Sequence, residues 1–439
     1  MAINVSFNGA TIYKPGAYSK VSIDLGGGFP LSPTGIVAIF GEADAGAPGA
    51  DEVNIANNVF SPDQLPQIRA KYRSGNIVDA CNFLFAPGAD GAIPSGAQAV
   101  YIYKTNASTR AGLSLAGSYG TVEALEHGTG GNRITVKVTA VGSTRTITLA
   151  QKRDSLVETA TVGGNVVVTL THATDTVTID DTKITLGSEV LLKSDLNSVQ
   201  DLVDSVSLLS GWTAALGAGI DPRLSVEVLD QVTAASALGG LDIKKDAHEV
   251  QEFFAQSQIA QLVNPANIGL PAALGETLLS GGALGATSTS DITDALAKFE
   301  KIRVNSVVPL FSRDASDDAS DMLTDASSSY TIDGIHQAVK THLSLMSTTK
   351  KKSERQGYLS AKDTYANCKA KAMGIASARC QLNIQDIRNI NAQGVIKWFQ
   401  PWAGAALLAG ARGGSPIGNP MTFKYFNMSG IRQTGQDLS

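Results

Sequence analysis

The chain has 439 residues, which is length for about two to four domains. Apolar residues make up 43% and charged residues only 17%, a pairing that suits a protein burying much of its surface against partners. A net charge of −5 argues against broad nucleic-acid binding, and no run approaches the roughly 18 apolar residues of a membrane span.

The first 28 residues read as an arm. Ile3, Val5 and Phe7 alternate with polar residues, Lys14-Pro15-Gly16 marks a turn, and a second run from Tyr18 to Ile23 places Tyr18, Val21 and Ile23 as its apolar positions. Gly26, Gly27 and Gly28 follow as a candidate hinge. Chain ends fray unless they are tied down, so an end written as strand, turn, strand is expected to pair with a sheet edge, in its own subunit or a neighbour's. The start at Met1-Ala2-Ile3-Asn4 has neither a basic nor an apolar leader region, so assembly in a cytoplasm is expected.

From residue 29 to 116 the pattern is α/β. Gly35 to Phe40 is a buried-strand run, helices are predicted over Pro62–Tyr72 and Asn76–Leu84, and Ala99–Tyr103 is a second strand. Between 117 and 225 short alternating runs predict a β-rich insert: Arg133–Val138, Thr144–Leu149, Val166–Leu170, Thr176–Ile179 and Lys183–Leu186. One helix capped by Ser194 closes it, with Leu196, Val199, Leu202, Val203 and Val206 on its apolar face. From 226 to 439 the pattern returns to α/β. Helices are expected over Lys245–Ile259, after a Ser290 cap, over Asp333–Met346 and over Thr364–Ala376. Strands are expected at Val304–Phe311, Arg355–Ser360, Arg379–Ile390 and Val395–Phe399, and a flexible loop at Leu279–Thr287. The fold class expected is therefore mixed α/β and multidomain: an α/β core, a β-rich inserted outer domain and an extended N-terminal arm.

No residue pattern carries catalysis. Leu279-Ser-Gly-Gly-Ala-Leu-Gly285 lacks the Gly-Lys-Ser/Thr ending of a phosphate loop, and Gly217-Ala-Gly219 lacks a third glycine at dinucleotide spacing. The acidic run Asp314–Asp321 lacks the turn glycine and closing glutamate of a calcium loop and is expected to be a solvated loop. His127, His172, His248, His336 and His342 form no metal pair, and Cys81, Cys368 and Cys380 form no CxxC motif, so inert thiols are expected. Lys350, Lys351, Lys352 and Arg355 read as a solvated basic cluster, with an acidic neighbour as its other use. No cofactor, metal or enzymatic activity is expected.

Five blocks, in order along the chain, resemble contractile tail sheath proteins. They are Lys14-Pro15-Gly16-Ala17-Tyr18 with Gly35–Ala43 and Gly46-Ala-Pro-Gly49; the Gly128-Thr-Gly-Gly-Asn132 turn; the Asp195–Val203 helix; Leu279–Gly285 with the Asp291–Glu300 helix and Val304–Leu310 strand; and Gln400–Gly404, Leu407–Arg412 and Gly418-Asn-Pro420. The resemblance implies a structural subunit that stacks as sixfold rings of identical chains around an inner tail tube. It would contract to drive that tube through a host envelope. The tail tube, baseplate and tail terminator proteins would be its partners, and the virion tail its location, with no direct contact to nucleic acid and no membrane insertion. The alternative is another virion component, a tail tube or adhesin. The family continues past the segment matching Phe423–Ile431 into further strands and a C-terminal arm, whereas this sequence stops at Ser439, so a shortened variant or a missing piece is expected. In that case residues 1–24 would carry more of the linkage between subunits.

Overall fold

A computed structural model of the chain describes residues 5–7, 10–12, 35–49, 55–88, 93, 95–152, 155–415, 421 and 425–433. The fold is mixed α/β with several separate sheets.

The central sheet has six strands in the spatial order Cys380–Asn383, Gln356–Ser360, Ser306–Pro309, Ile36–Gly41, Ala99–Lys104 and Val59–Phe60. The first five are parallel, and the short Val59–Phe60 strand closes one edge antiparallel. Ile36–Gly41 lies centrally, in register with Ala99–Lys104 from Ile36 opposite Ala99 to Gly41 opposite Lys104. Pleating sends alternate side chains to opposite faces. Val37 and Ile39 therefore enter one core with helices Asn76–Phe85 and Trp402–Gly414. Ala38 and Phe40 enter the other with helices Thr289–Phe299 and Ile332–Met346. Burial on both faces is why this strand reads as an uninterrupted apolar run. Phe40 meets Phe299 and Phe311 at ring-centroid distances of 6.4 and 6.2 Å, and burying a ring of this size stabilises by about 3 kcal/mol.

Between the second and third parallel strands the chain builds two β-rich cores. One joins the sheet Leu156–Val162, Thr144–Gln151, Ile134–Val141, Leu274–Leu278 to the sheet Ala260–Val263, Gly120–His127, Arg110–Leu115, under helix Asp246–Gln256. The other joins Thr213–Leu216, Val166–Thr171, Leu241–Lys244 to Glu189–Leu192, Lys183–Leu186, Thr176–Ile179, Val232–Ser236, under helix Val199–Ser207. Strand pairing thus begins at Arg110 and runs to Leu278. A last sheet orders Ile396–Phe399, Asp386–Ile390 and Gly430–Arg432.

Several expectations shift. The cap of the Val199–Ser207 helix is Ser198, whose hydroxyl accepts from Asp201 N, rather than Ser194. Ser288, not Ser290, caps Thr289–Phe299, because Asp291 three residues on completes a capping box. The run Arg379–Ile390 divides between two sheets. Asn383 Nδ2 donates to the carbonyls of Gln385 and Pro401, which bends the chain out of the core sheet. The acidic run is a short helix, Ala315–Ser320, drawn in by Asp318, which is buried against Arg313.

Candidate functional site at the two ends of the core sheet

Taken in chain order, the five parallel strands stand 5-4-3-1-2, so the order reverses between Ile36–Gly41 and Ser306–Pro309. In open parallel sheets the crevice outside the carboxyl ends at such a reversal is the usual ligand position. Here the chain fills that position itself. Glu42 leaves the first strand buried, and its Oε1 accepts from Thr287 Oγ1 at 2.7 Å and Thr324 Oγ1 at 2.6 Å. Thr105 Oγ1 donates to Gly41 O at 3.0 Å. Asn106 Nδ2 donates to Ala43 O and Leu284 O, while its Oδ1 accepts from Ala43 N. Lys104 Nζ, fully buried, donates to Asn106 O at 3.0 Å and Ser108 Oγ at 2.6 Å. Asp318 accepts from Tyr330 OH, Gln400 Nε2 and Arg313 Nε. Burial pushes the Glu42 carboxyl up to about 7, against the pull of the Thr324 and Thr287 hydroxyls.

The loop expected to be flexible, Leu279–Thr287, is pinned here. Gly282 N donates to Asn132 Oδ1 at 2.9 Å, and Asn132 Nδ2 returns a bond to Gly282 O at 2.7 Å. Thr109 N donates to Ala283 O, and Gly112 and Ser280 exchange backbone bonds. Two glycines make the approach possible. Gly128, at φ +89°, would place a Cβ 1.8 Å from Asp44 O, and Gly285, at φ +77°, would place one 2.0 Å from Ala107 O.

The amino end of the same sheet is built differently. Arg355, expected in a solvated basic cluster, is 1% exposed and belongs to the core. Its Nη1 donates to Phe299 O at 2.9 Å and to His342 Nε2 at 2.8 Å, and its Nη2 donates to Ile302 O at 2.7 Å. A guanidinium has no acceptor, so His342 Nε2 carries the lone pair and the ring is neutral. Burial and then the Arg355 charge push His342 down to about 4. Lys350, Lys351 and Lys352 do stay at the surface, with Lys351 Nζ 3.4 Å from a Glu300 oxygen. His336, on the same helix as His342, bonds Ser360 O at 3.0 Å.

Of the expected strand-pairing and hinge residues, Ile3, Tyr18, Val21, Ile23, Gly26, Gly27 and Gly28 lie outside the described residues. Val5–Phe7 forms an antiparallel pair with Ala10–Ile12, Val5 opposite Ile12 and Phe7 opposite Ala10. In the sequence, Asn8-Gly9 between them is a strong hairpin signal. No sequence pattern marks the apolar surface of the 386–432 sheet, where Val395, Ile396 and Ile390 are more than half exposed and Trp398 is 40% exposed.

Cys81 and Cys368 are buried and Cys380 is half-buried, all as free thiols, and burial pushes each upward. Among the described residues no three His, Cys, Asp or Glu side chains converge as a metal-ligand group, and no helix is long and apolar enough to cross a membrane.

No family model matches the chain, and no curated protein matches it. Its structure is similar to that of the sheath tail protein of Desulfitobacterium hafniense, at 13% identity and a TM-score of 0.44, over 91% of this chain and 62% of that one. It is also similar to a sheath tail protein of Listeria innocua, at 13% identity and a TM-score of 0.40, over 87% of this chain and 56% of that one. The chain thus spans about three-fifths of the length of these proteins.

Proposed function

We propose that this chain is a contractile tail sheath subunit with a mechanical role and no enzymatic one. The observation that carries the reading is spatial. Three blocks of the sheath-like pattern lie far apart in sequence yet meet in one knot: Gly41-Glu42-Ala43, Gly128–Asn132 and Leu279–Thr287. Glycines and small polar residues at those positions are what such close crossing needs, so their common occurrence in the sequence has a common physical reason. The polar lock at the carboxyl end of the sheet also fits a body that transmits force. Its hydrogen bonds tie the return of the β-rich region, at Thr287, to the central strand.

In this reading residues 1–28 are the linking arm, and the outer insert, expected over 117–225, follows the strand pairing from Arg110 to Leu278, with the core on either side of it out to 29 and 439. Identical subunits stack in sixfold rings around a tail tube, between baseplate and terminator proteins, in the virion tail, after assembly in a host cytoplasm. The arm of one copy adds as a strand to a neighbour, with Ile3, Val5, Phe7, Tyr18, Val21 and Ile23 as its pairing residues. The recipient we favour is the 386–432 sheet, whose edge strand Ile396–Phe399 is flanked by exposed apolar side chains. Contraction is then a switch between two packings of rigid bodies about the Gly26–Gly28 hinge, with main-chain pairing kept throughout.

Deletion of residues 1–24 tests the reading. The expected product is a folded protein, with circular dichroism and melting unchanged, that forms no tubes in negative-stain microscopy, while the full chain forms striated sleeves. Normal tubes from the deletion would remove the arm from the mechanism. A full chain that stays monomeric at every concentration would remove the sheath reading.

A further inference from the structure

At the amino end of the core sheet, opposite the Glu42 lock, lies an open cavity of about 240 Å³. Arg355, Arg379, Arg412, Ser306 and Ser415 line it, together with Glu354. Three arginines and one glutamate thus line it. The Glu354 carboxylate is 74% exposed and sits 3.6 Å from Arg379.

Two groups in this wall are left incomplete. The Nη atoms of Arg355 are engaged by Phe299 O, Ile302 O, His342 Nε2 and Ser353 Oγ, whereas its Nε–H has no partner. Ser415 Oγ likewise has none, although Ser415 is 6% exposed and Arg355 1%. Buried donors in native proteins are nearly always paired, so two unpaired ones in one cationic cavity point to a missing acceptor. Burial pushes the Arg355 guanidinium down to about 10 against the pull of the Glu300 charge, with which it makes no direct ion pair. A second hollow, of about 590 Å³, adjoins the first through Asn305 and Glu354 and brings Lys301, Arg303, Lys351 and Lys352 to its rim, against Glu300 and Glu354. Their combined field draws anions toward the cavity.

We propose that this cavity is an oxyanion site, taking a phosphate or carboxylate group that accepts from Arg355 Nε and Ser415 Oγ and is gripped by Arg379 and Arg412. Planar guanidinium forks match both groups in geometry. The oxyanion can come from solution or from a second copy of the chain. The acidic segment that holds exposed Asp317 and Asp321 follows the carboxyl end of Ser306–Pro309, so it sits at the opposite end of the same sheet. A head-to-tail contact between copies brings those two ends together.

The test is calorimetric titration of the full chain with inorganic phosphate, beside the double variant Arg379→Gln/Arg412→Gln. Saturable binding to the native chain, weakened roughly tenfold or more in the variant, is the expected result. Arg379→Gln alone, on a side chain 37% exposed, serves if the double variant does not fold. The source is decided by sedimentation. If phosphate and Asp317→Asn each disperse the same oligomer, the occupant is a neighbour's carboxylate. If phosphate binds and the oligomer is unchanged, the occupant is a free anion. No saturable binding of phosphate or acetate in the millimolar range, or equal binding to native chain and variants, overturns the site.

Discussion

The two ends of the parallel sheet solve opposite problems with the same five strands. At the carboxyl end, where such sheets ordinarily receive a ligand, the chain supplies its own occupants: Thr287, Thr324 and the pinned 279–287 loop close over Glu42. At the amino end a buried cation, Arg355, is held by carbonyls and a neutral histidine, and the space beside it stays open. The usual ligand crevice of this sheet is filled by its own chain, and the open space lies at the other end. Polar groups buried in the sheet hold segments together when they are paired, and they mark a missing partner when they are not.

The closed end is the more sensitive to substitution. Gly128→Ala must adopt a left-handed backbone and push its Cβ into Asp44 O, so a loss of roughly 2 to 4 kcal/mol is expected in denaturant unfolding. A change below about 0.5 kcal/mol would mean that the knot is loose.

The pH response sharpens the contrast, because the two ends have opposite signs. The Glu42 carboxyl is raised from 4.5 to about 7, so its favourable contribution is complete below pH 4.5 and is lost as pH rises through 7. His342 is lowered from 6.5 to about 4, so its contribution is complete above pH 6.5 and is lost as pH falls through 4. Each effect is on the order of 3 kcal/mol. The two windows overlap and nearly offset in the native chain, so in unfolding free energies measured across this range Glu42→Gln should leave stability rising from pH 4 to 6.5 and His342→Gln should leave it falling from pH 4.5 to 7. Unaltered slopes in both variants would contradict the burial assigned to these groups.

The smallest effect belongs to the rim. Asp321 is more than half exposed, and its 2.7 Å pair with Arg313 competes with water, so Asp321→Asn should cost under about 1 kcal/mol in the same unfolding assay. A larger loss would place the acidic helix inside the lock rather than at its edge.

Much of the core was legible because its periodicities are strong. Ile36–Gly41, Asn76–Phe85, Thr176–Ile179 and Ile332–Met346 follow directly from apolar runs, alternation or helical spacing. Strands such as Val232–Ser236 and Leu274–Leu278 were not legible, since their Ala, Ser, Gly and Glu residues have little strand preference until a neighbour pairs with them, whereas Leu156–Val162 carries strand-favouring Val and Thr. The site was harder still. Glu42 was visible only as the end of an apolar strand, and Arg355 only as the end of a lysine run.

By itself, then, the amino-acid sequence determined the class of the fold, the placement of its main helices and central strands, and a family-like order of glycine-marked blocks. Those properties depend on neighbours within a few residues, where spacing and backbone preference act. The tertiary structure alone decided that Glu42 meets Thr287 and Thr324, separated from it by 245 and 282 positions, and that Arg355 turns inward to His342. Burial and pairing of a charge depend on segments brought together by the whole fold, and no local pattern of residues encodes them.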